Sequence, residues 1–234
     1  MYIVEGNIGA GKSTFLKLIQ AYLPHIGVIL EPVESWQNKI AGQSVLANFY
    51  ENPKRWAYTM ETLTMIGRVQ EHVKAQAHPN PFRLMERSIY SGHYCFATNG
   101  YQEGFLTELE WKLYLSWFNF LITDKCKVPH GFIYLRVDPE IAYERIQKRQ
   151  RSGESAISLD YIKQIHQCHE NFLLEKINVL PELVAVPVLV LDCNEEFEMD
   201  GAQLRAHAQK VVEFMRTHVG IQRYHGSCTY PSFS

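Results

Sequence analysis

Residues 6–14 read Gly6-Asn7-Ile8-Gly9-Ala10-Gly11-Lys12-Ser13-Thr14, or GNIGAGKST. The fixed positions of the pattern G-x-x-x-x-G-K-[ST] fall on Gly6, Gly11, Lys12 and Ser13. An apolar stretch, Tyr2–Glu5, comes before it, and a helical pattern over Thr14–Tyr22 follows. Strand, glycine-rich turn and helix in that order make a phosphate cradle. Glycines let the backbone aim its N–H groups inward, and the helix N-terminus adds positive potential. Lys12 is then placed to bridge the two outer phosphates of a nucleotide, and the Ser13 hydroxyl to meet a Mg²⁺ ion carried with them. Such a cradle identifies a nucleotide and leaves the reaction open.

Working outward, the rest of the chain repeats the same alternation. Gly27–Glu31, Phe82–Met85, Gly131–Val137 and Val186–Asp192 are further short apolar runs, with helical patterns between them. Strands alternating with helices need crossover connections. They predict an α/β P-loop fold, a five-stranded parallel sheet with helices on both faces. Ligands of such sheets bind beyond the carboxyl ends of the strands. The chemistry should therefore collect after Glu5, Glu31, Met85, Val137 and Asp192.

The chain has 234 residues, 46% of them hydrophobic, which suits one domain spanning 1–234. No internal repeat or linker divides it, and turn formers from Gly220 to Ser234 predict a loose tail. A formal net charge of -2 argues against a nucleic-acid polymer as partner. No apolar run approaches the ~20 residues of a membrane span. The five cysteines, Cys95, Cys126, Cys168, Cys193 and Cys228, are odd in number and form no CxxC pair. They read as reduced thiols. Met1 leads straight into the first strand, so the expectation is a cytoplasmic protein without a presequence.

Two strand ends carry candidate chemistry. The second runs into Glu31-Pro32-Val33-Glu34-Ser35-Trp36, where Glu31 can take a proton from an attacking hydroxyl. The third runs into Glu86-Arg87-Ser88, where a carboxylate can approach Mg²⁺ and a guanidinium can neutralise phosphate. On the residues alone, Glu31 reads equally as a helix-capping acid and Glu86–Arg87 as a surface pair. Residues 145–151, RIQKRQR, read as a solvated helix face taken alone. Their position after the fourth strand, and before the small polar turn Ser152-Gly153-Glu154-Ser155, suits a hinged basic lid of about 145–157.

These blocks, GNIGAGKST, EPVESW (31–36), YENPKRW (50–56), MERSIYSGHYCFA (85–97), RIQKRQRSGES (145–155) and VPVLVLDCNEEF (186–197), resemble the deoxyribonucleoside kinase family in content and order from Met1 to about Phe197. The resemblance implies transfer of the γ-phosphate of ATP, with Mg²⁺, to the 5′-hydroxyl of a deoxynucleoside. It implies Glu31 as general base, Arg87 beside the reacting oxygens, Glu86 on Mg²⁺, and Arg145, Arg149 and Arg151 as lid arginines. Glu154 and Tyr50 match residues that bind the sugar 3′-hydroxyl. Glu196 and Phe197 match the loop beside the adenine of ATP, although they read equally as an acidic surface turn. Trp36, Leu46, Phe49, Met60 and Phe96 match the walls around the nucleobase; as a bare pattern such residues are more often plain core.

The base pocket departs from the family pattern. Most relatives carry glutamine where this chain has Glu61. Arg68 matches an arginine that some members pair with an aspartate, whose position is Gly92 here. Two readings follow. Glu61 and Arg68, seven residues apart, pair with each other and read nothing specific. Alternatively, an acceptor-only carboxylate and a donor-only guanidinium select a keto base, guanine before thymine, with Gly92 leaving room for a methyl group. The aromatic helix Thr107–Thr123, with Trp111, Tyr114, Phe118 and Leu121 on one face, either packs against the sheet or forms a homodimer interface, as helices do in the family. Two other functions stay open: a nucleoside monophosphate kinase or similar small-molecule kinase, and a non-catalytic nucleotide-binding module. The first lacks basic residues for an acceptor phosphate. Keeping Lys12, Glu31, Arg87 and the lid arginines together argues against the second.

Overall fold

A computed structural model describes residues 1–33, 42–80, 82–149, 151, 154–195 and 201–218. Among them, five strands, β1 (Tyr2–Glu5), β2 (Gly27–Ile29), β3 (Arg83–Glu86), β4 (Gly131–Arg136) and β5 (Val188–Asp192), form one all-parallel sheet in the order β2-β3-β1-β4-β5. The expected α/β architecture is the observed one. The strand ends shift by up to two residues. β2 stops at Ile29 and not at Glu31, and the Glu31 N–H donates to the Glu86 carboxylate at 3.3 Å in place of a ladder partner. β3 runs on to Glu86, which stands opposite Val4.

Period-two alternation sends each strand's side chains to two separate cores. Tyr2 and Val4 of β1, with Ile133 and Leu135 of β4, join Phe15, Leu16 and Ile19 of α1 (Lys12–Tyr22) on one face. Ile3, Phe132 and Tyr134 point to the other face. There they meet Met65 and Val69 of α3 (Pro53–Ala77), Tyr114 and Phe118 of α4 (Glu108–Lys125), and Phe172 and Leu173 of α6 (Leu159–Leu173). Ala142 and Ile146 of α5 (Pro139–Arg149) and Val211 of α7 (Gly201–His218) close the first face. A smaller cluster joins Leu46 and Phe49 of α2 (Val45–Glu51) to Ala57 and Met60 of α3. It builds a wall in front of the sheet's carboxyl edge.

β1 lies between β3 and β4, so the chain leaves it toward β2 on one side and later crosses to β4 on the other. That reversal opens a crevice at the carboxyl end of β1, where the phosphate loop begins. A π-helical turn, Gly92–Ala97, continues the helical segment Ile89–Ser91 and leads into Thr98–Gln102. No described helix is long and apolar enough to cross a membrane.

Helix α4 starts at Glu108 behind a Thr107 cap whose side chain accepts from Glu110 N. Its face of Trp111, Tyr114 and Phe118 packs inward on the π turn: the His93 ring stacks on Phe118 at 4.0 Å and on Trp111 at 5.7 Å. The residues read as a possible dimer face are therefore the inward ones. Leu109, Leu113, Trp117 and Phe120 carry the exposed face, at 45–68% exposure.

Candidate active site

The phosphate loop obeys its steric logic. Gly9 has φ 81°, and a Cβ there would run into the Ala142 carbonyl of α5. Gly11, at φ 82°, caps α1 from the left-handed region. Asn7 staples the loop to α6, its Nδ2 donating to Ile162 O at 2.8 Å. Ile8, Gly9, Gly11, Lys12, Ser13 and Thr14 line a cavity of about 310 Å³. Gly6, Asn7 and Ala10 are buried and do not line it. The Lys12 ammonium folds back onto the loop, donating to Gly6 O at 3.1 Å and Asn7 O at 2.8 Å. Burial, with Arg87 close by, lowers its pKa to about 7 despite the carboxylates of Glu86, Glu31 and Glu5.

Three strand ends deliver the opposing chemistry. Glu31, two residues beyond β2, presents a buried carboxylate. Its Oε1 accepts from Arg68 Nε at 3.0 Å and Nη2 at 2.9 Å, and its Oε2 from Arg87 Nε at 3.3 Å. Burial pushes the Glu31 pKa up, but the two guanidiniums and Lys12 outweigh it and hold it below the usual carboxylate value. Glu86 at the end of β3 accepts from Ser13 Oγ at 2.6 Å and from Glu31 N at 3.3 Å. A carboxylate and a hydroxyl beside a phosphate loop are hard oxygen donors. They fit Mg²⁺, which takes one or two carboxylates and completes its shell with phosphate and water. Among the described residues no group of three or more His, Cys, Asp or Glu could hold a metal.

Arg87 reaches the cavity from a left-handed backbone, φ 58°, which costs a non-glycine residue about 1–2 kcal/mol. Its guanidinium lies 4.7 Å from the Phe96 ring centre. Behind it, the fully buried Glu5 accepts from Ser88 Oγ at 2.6 Å, and burial raises its pKa.

The lid arginines divide. Arg149 forms a two-pronged pair with Glu154, at 2.8 Å from Nε and 2.7 Å from Nη2, and Arg151 lies 3.5 Å from the same carboxylate. All three line the cavity. Arg145 does not. Its guanidinium donates to Cys193 O, Asn194 O and Glu195 O at 2.9, 3.0 and 3.2 Å, tying α5 to the turn after β5. The expectation that it acts with the other two is corrected accordingly: one turn earlier on α5, it points to the neighbouring loop. Ser152 and Gly153 of the expected hinge, Trp36, Glu196, Phe197 and the tail lie outside the described residues.

Leu46, Phe49, Tyr50, Met60, Glu61, Arg68 and Phe96 all line the cavity. Two expectations about them need correction. Arg68 is committed to Glu31, so the Glu61–Arg68 hydrogen-bonded pair does not form. Gly92 leaves no free room, because a Cβ there would sit 2.5 Å from Arg68 Nη1. The guanidinium fills the space that a missing side chain vacates. Lys17, Val33, Thr64 and Tyr161 also line the cavity, beyond the residues expected from the sequence. Lys17 stands one turn beyond Ser13 on α1, and Thr64 one turn beyond Met60 on α3, so helical spacing could have found both. Tyr161 arrives from α6, and nothing local in the sequence announces it.

Comparison with known proteins agrees with this arrangement. The family described as deoxynucleoside kinase matches residues 2–219. Deoxycytidine kinase 2 of Gallus gallus is 36% identical over 91% of this chain and 89% of its own length. Mitochondrial deoxyguanosine kinase of Xenopus laevis is 34% identical over 85% and 83%. Mitochondrial thymidine kinase 2 of Homo sapiens is 34% identical over 83% and 71%.

Proposed function

The chain belongs to the deoxynucleoside kinase family and is an ATP-dependent phosphotransferase, and from that premise we propose how its residues divide the reaction. The γ-phosphate of ATP passes to the 5′-hydroxyl of a deoxynucleoside, and Glu31 takes the hydroxyl proton. One observation carries this reading: a carboxylate kept ionised by Arg68 and Arg87 opens into the same cavity as Lys12 and Ser13. A weakly basic carboxylate suffices, because a loose phosphoryl transition state asks little of its base. Lys12 holds the outer phosphates. Arg149 and Arg151 turn from Glu154 to the oxygens of the migrating group, and Glu154 with Tyr50 holds the sugar 3′-hydroxyl. Mg²⁺, at Ser13 and Glu86, would offset phosphate charge when bound. The free thiols of Cys95, Cys126, Cys168 and Cys193 suit a reducing compartment, which we take to be the cytosol.

For the base, the reading is deoxyguanosine first and thymidine second. It now rests on Glu61 alone, since Arg68 serves Glu31. An ionised carboxylate accepts from guanine N1–H and N2–H₂ together, and from the one N3–H of thymine. Cytosine and adenine set a lone pair against it. The relatives' own names span three bases and so do not select among them. The expected result with labelled ATP at about pH 8 is phosphorylation of all four deoxynucleosides, led by deoxyguanosine and then thymidine. A lead for deoxycytidine there sinks the base reading, and no transfer to any of them sinks the assignment of roles.

We also infer a homodimer, through the exposed face of α4. Leu109, Leu113, Trp117 and Phe120 recur at spacings of four, four and three residues, which is one helical stripe. Beside them Ile66 and Val73 of α3 are exposed at 47% and 40%. Apolar side chains gathered this way mark an interface. Trp117→Glu is expected to halve the mass in sedimentation while the catalytic constants change by less than a few-fold. A variant that keeps the wild-type mass places the interface elsewhere.

A further inference from the structure

Glu61 is a carboxylic acid set among apolar walls, and its ion-pairing partner has been taken from it. It faces the cavity from α3 with Met60 beside it and Phe49 nearby, and it is only 7% exposed. Among the described residues, none hydrogen-bonds or ion-pairs with its side chain. Arg68, on its own helix, turns its Nε and Nη2 to Glu31, and Arg87, beyond β3, turns its Nε to the same group. Among the described residues, the other titratable groups that face it are phenols: Tyr50 from α2, Tyr114 from α4 and Tyr161 from α6. Burial raises the pKa of all three, so they stay neutral.

We propose that Glu61 is a proton-gated reader of the nucleobase edge. Protonated, its carboxyl offers one donor and one acceptor, as a primary amide does, and admits cytosine and adenine beside the keto bases. Ionised, it offers acceptors only and favours bases that carry a ring N–H. The proposal rests on the nucleoside reading of this cavity and deepens it.

The gate operates near neutrality. Burial pushes the Glu61 pKa up, to about 7, against the pull of Arg68 and Arg87. Below that value the carboxyl is neutral and the bases compete on shape. Above it, a cytosine lone pair meets a carboxylate, a buried mismatch of about 1–3 kcal/mol.

The test is a competition between deoxycytidine and thymidine in one mixture, read as the ratio of products from pH 6 to pH 8.5. The two reactions share ATP, Lys12 and Glu31, so titration of those groups cancels in the ratio. In the wild type the ratio of thymidine product to deoxycytidine product is expected to rise about tenfold or more over that range. In Glu61→Gln, whose amide keeps its donor at every pH, the ratio is expected to stay flat. A wild-type ratio that does not change with pH overturns the gate and leaves the kinase reading standing. So does an equal slope in both proteins, which assigns the titration to another group. Transfer to neither nucleoside overturns both readings together.

Discussion

Glu31→Gln is expected to lower kcat by roughly 10²–10⁴, the range for losing general acid–base help, while ATP binding in calorimetry stays within a few-fold of wild type. The amide keeps the shape of the carboxylate, and its one oxygen can still accept from Arg68 or from Arg87, which hold the two oxygens of the native group at 2.9–3.3 Å. What it cannot do is carry away the hydroxyl proton. The native carboxyl titrates below the ordinary carboxylate range. Any fall in kcat as pH drops through neutrality therefore belongs to another group. Wild-type turnover by the variant would assign the base elsewhere.

Lys12→Ala is expected to be as severe, a loss on the order of 10³ in turnover from removing one preorganised donor to the reacting phosphates. Deoxynucleoside affinity should change little, since the Lys12 ammonium donates to the loop carbonyls of Gly6 and Asn7. The discriminating measurement is calorimetry with each ligand alone. Loss of nucleoside binding with ATP binding intact would mean that the two halves of the cavity have been exchanged.

Much of this site is written locally. The phosphate loop is nine consecutive residues whose backbone geometry depends on its own glycines. Glu31, Glu86 and Arg87 follow from the rule that ligands gather beyond strand ends, because strand positions can be read from short apolar runs. The strand ends differ by at most two residues, set by the Glu31 N–H going to the Glu86 side chain and by the pairing of Glu86 with Val4 across the sheet. What stayed hidden depends on residues far apart in the chain. Arg68 stands seven residues from Glu61 and 37 from Glu31, yet it pairs with the distant one. Helical spacing offers the nearer acid, and only the approach of β2 to α3 supplies the other. Helix α4 is apolar on two sides, so its periodicity could not say which side faces inward. At Gly92 a missing side chain suggests space, whereas close packing lets a neighbour, Arg68, occupy it.

The pairing of Arg149 with Glu154 has a thermodynamic consequence for the two substrates. These side chains satisfy each other, at 2.7 and 2.8 Å. In the proposed reading one belongs to the donor's phosphate and the other to the acceptor's sugar. Whichever substrate arrives first must open the pair and bears that cost alone. The second finds its own partner already released. Donor and acceptor thus help each other bind without touching at this point, and by linkage the gain is the same in either order of addition.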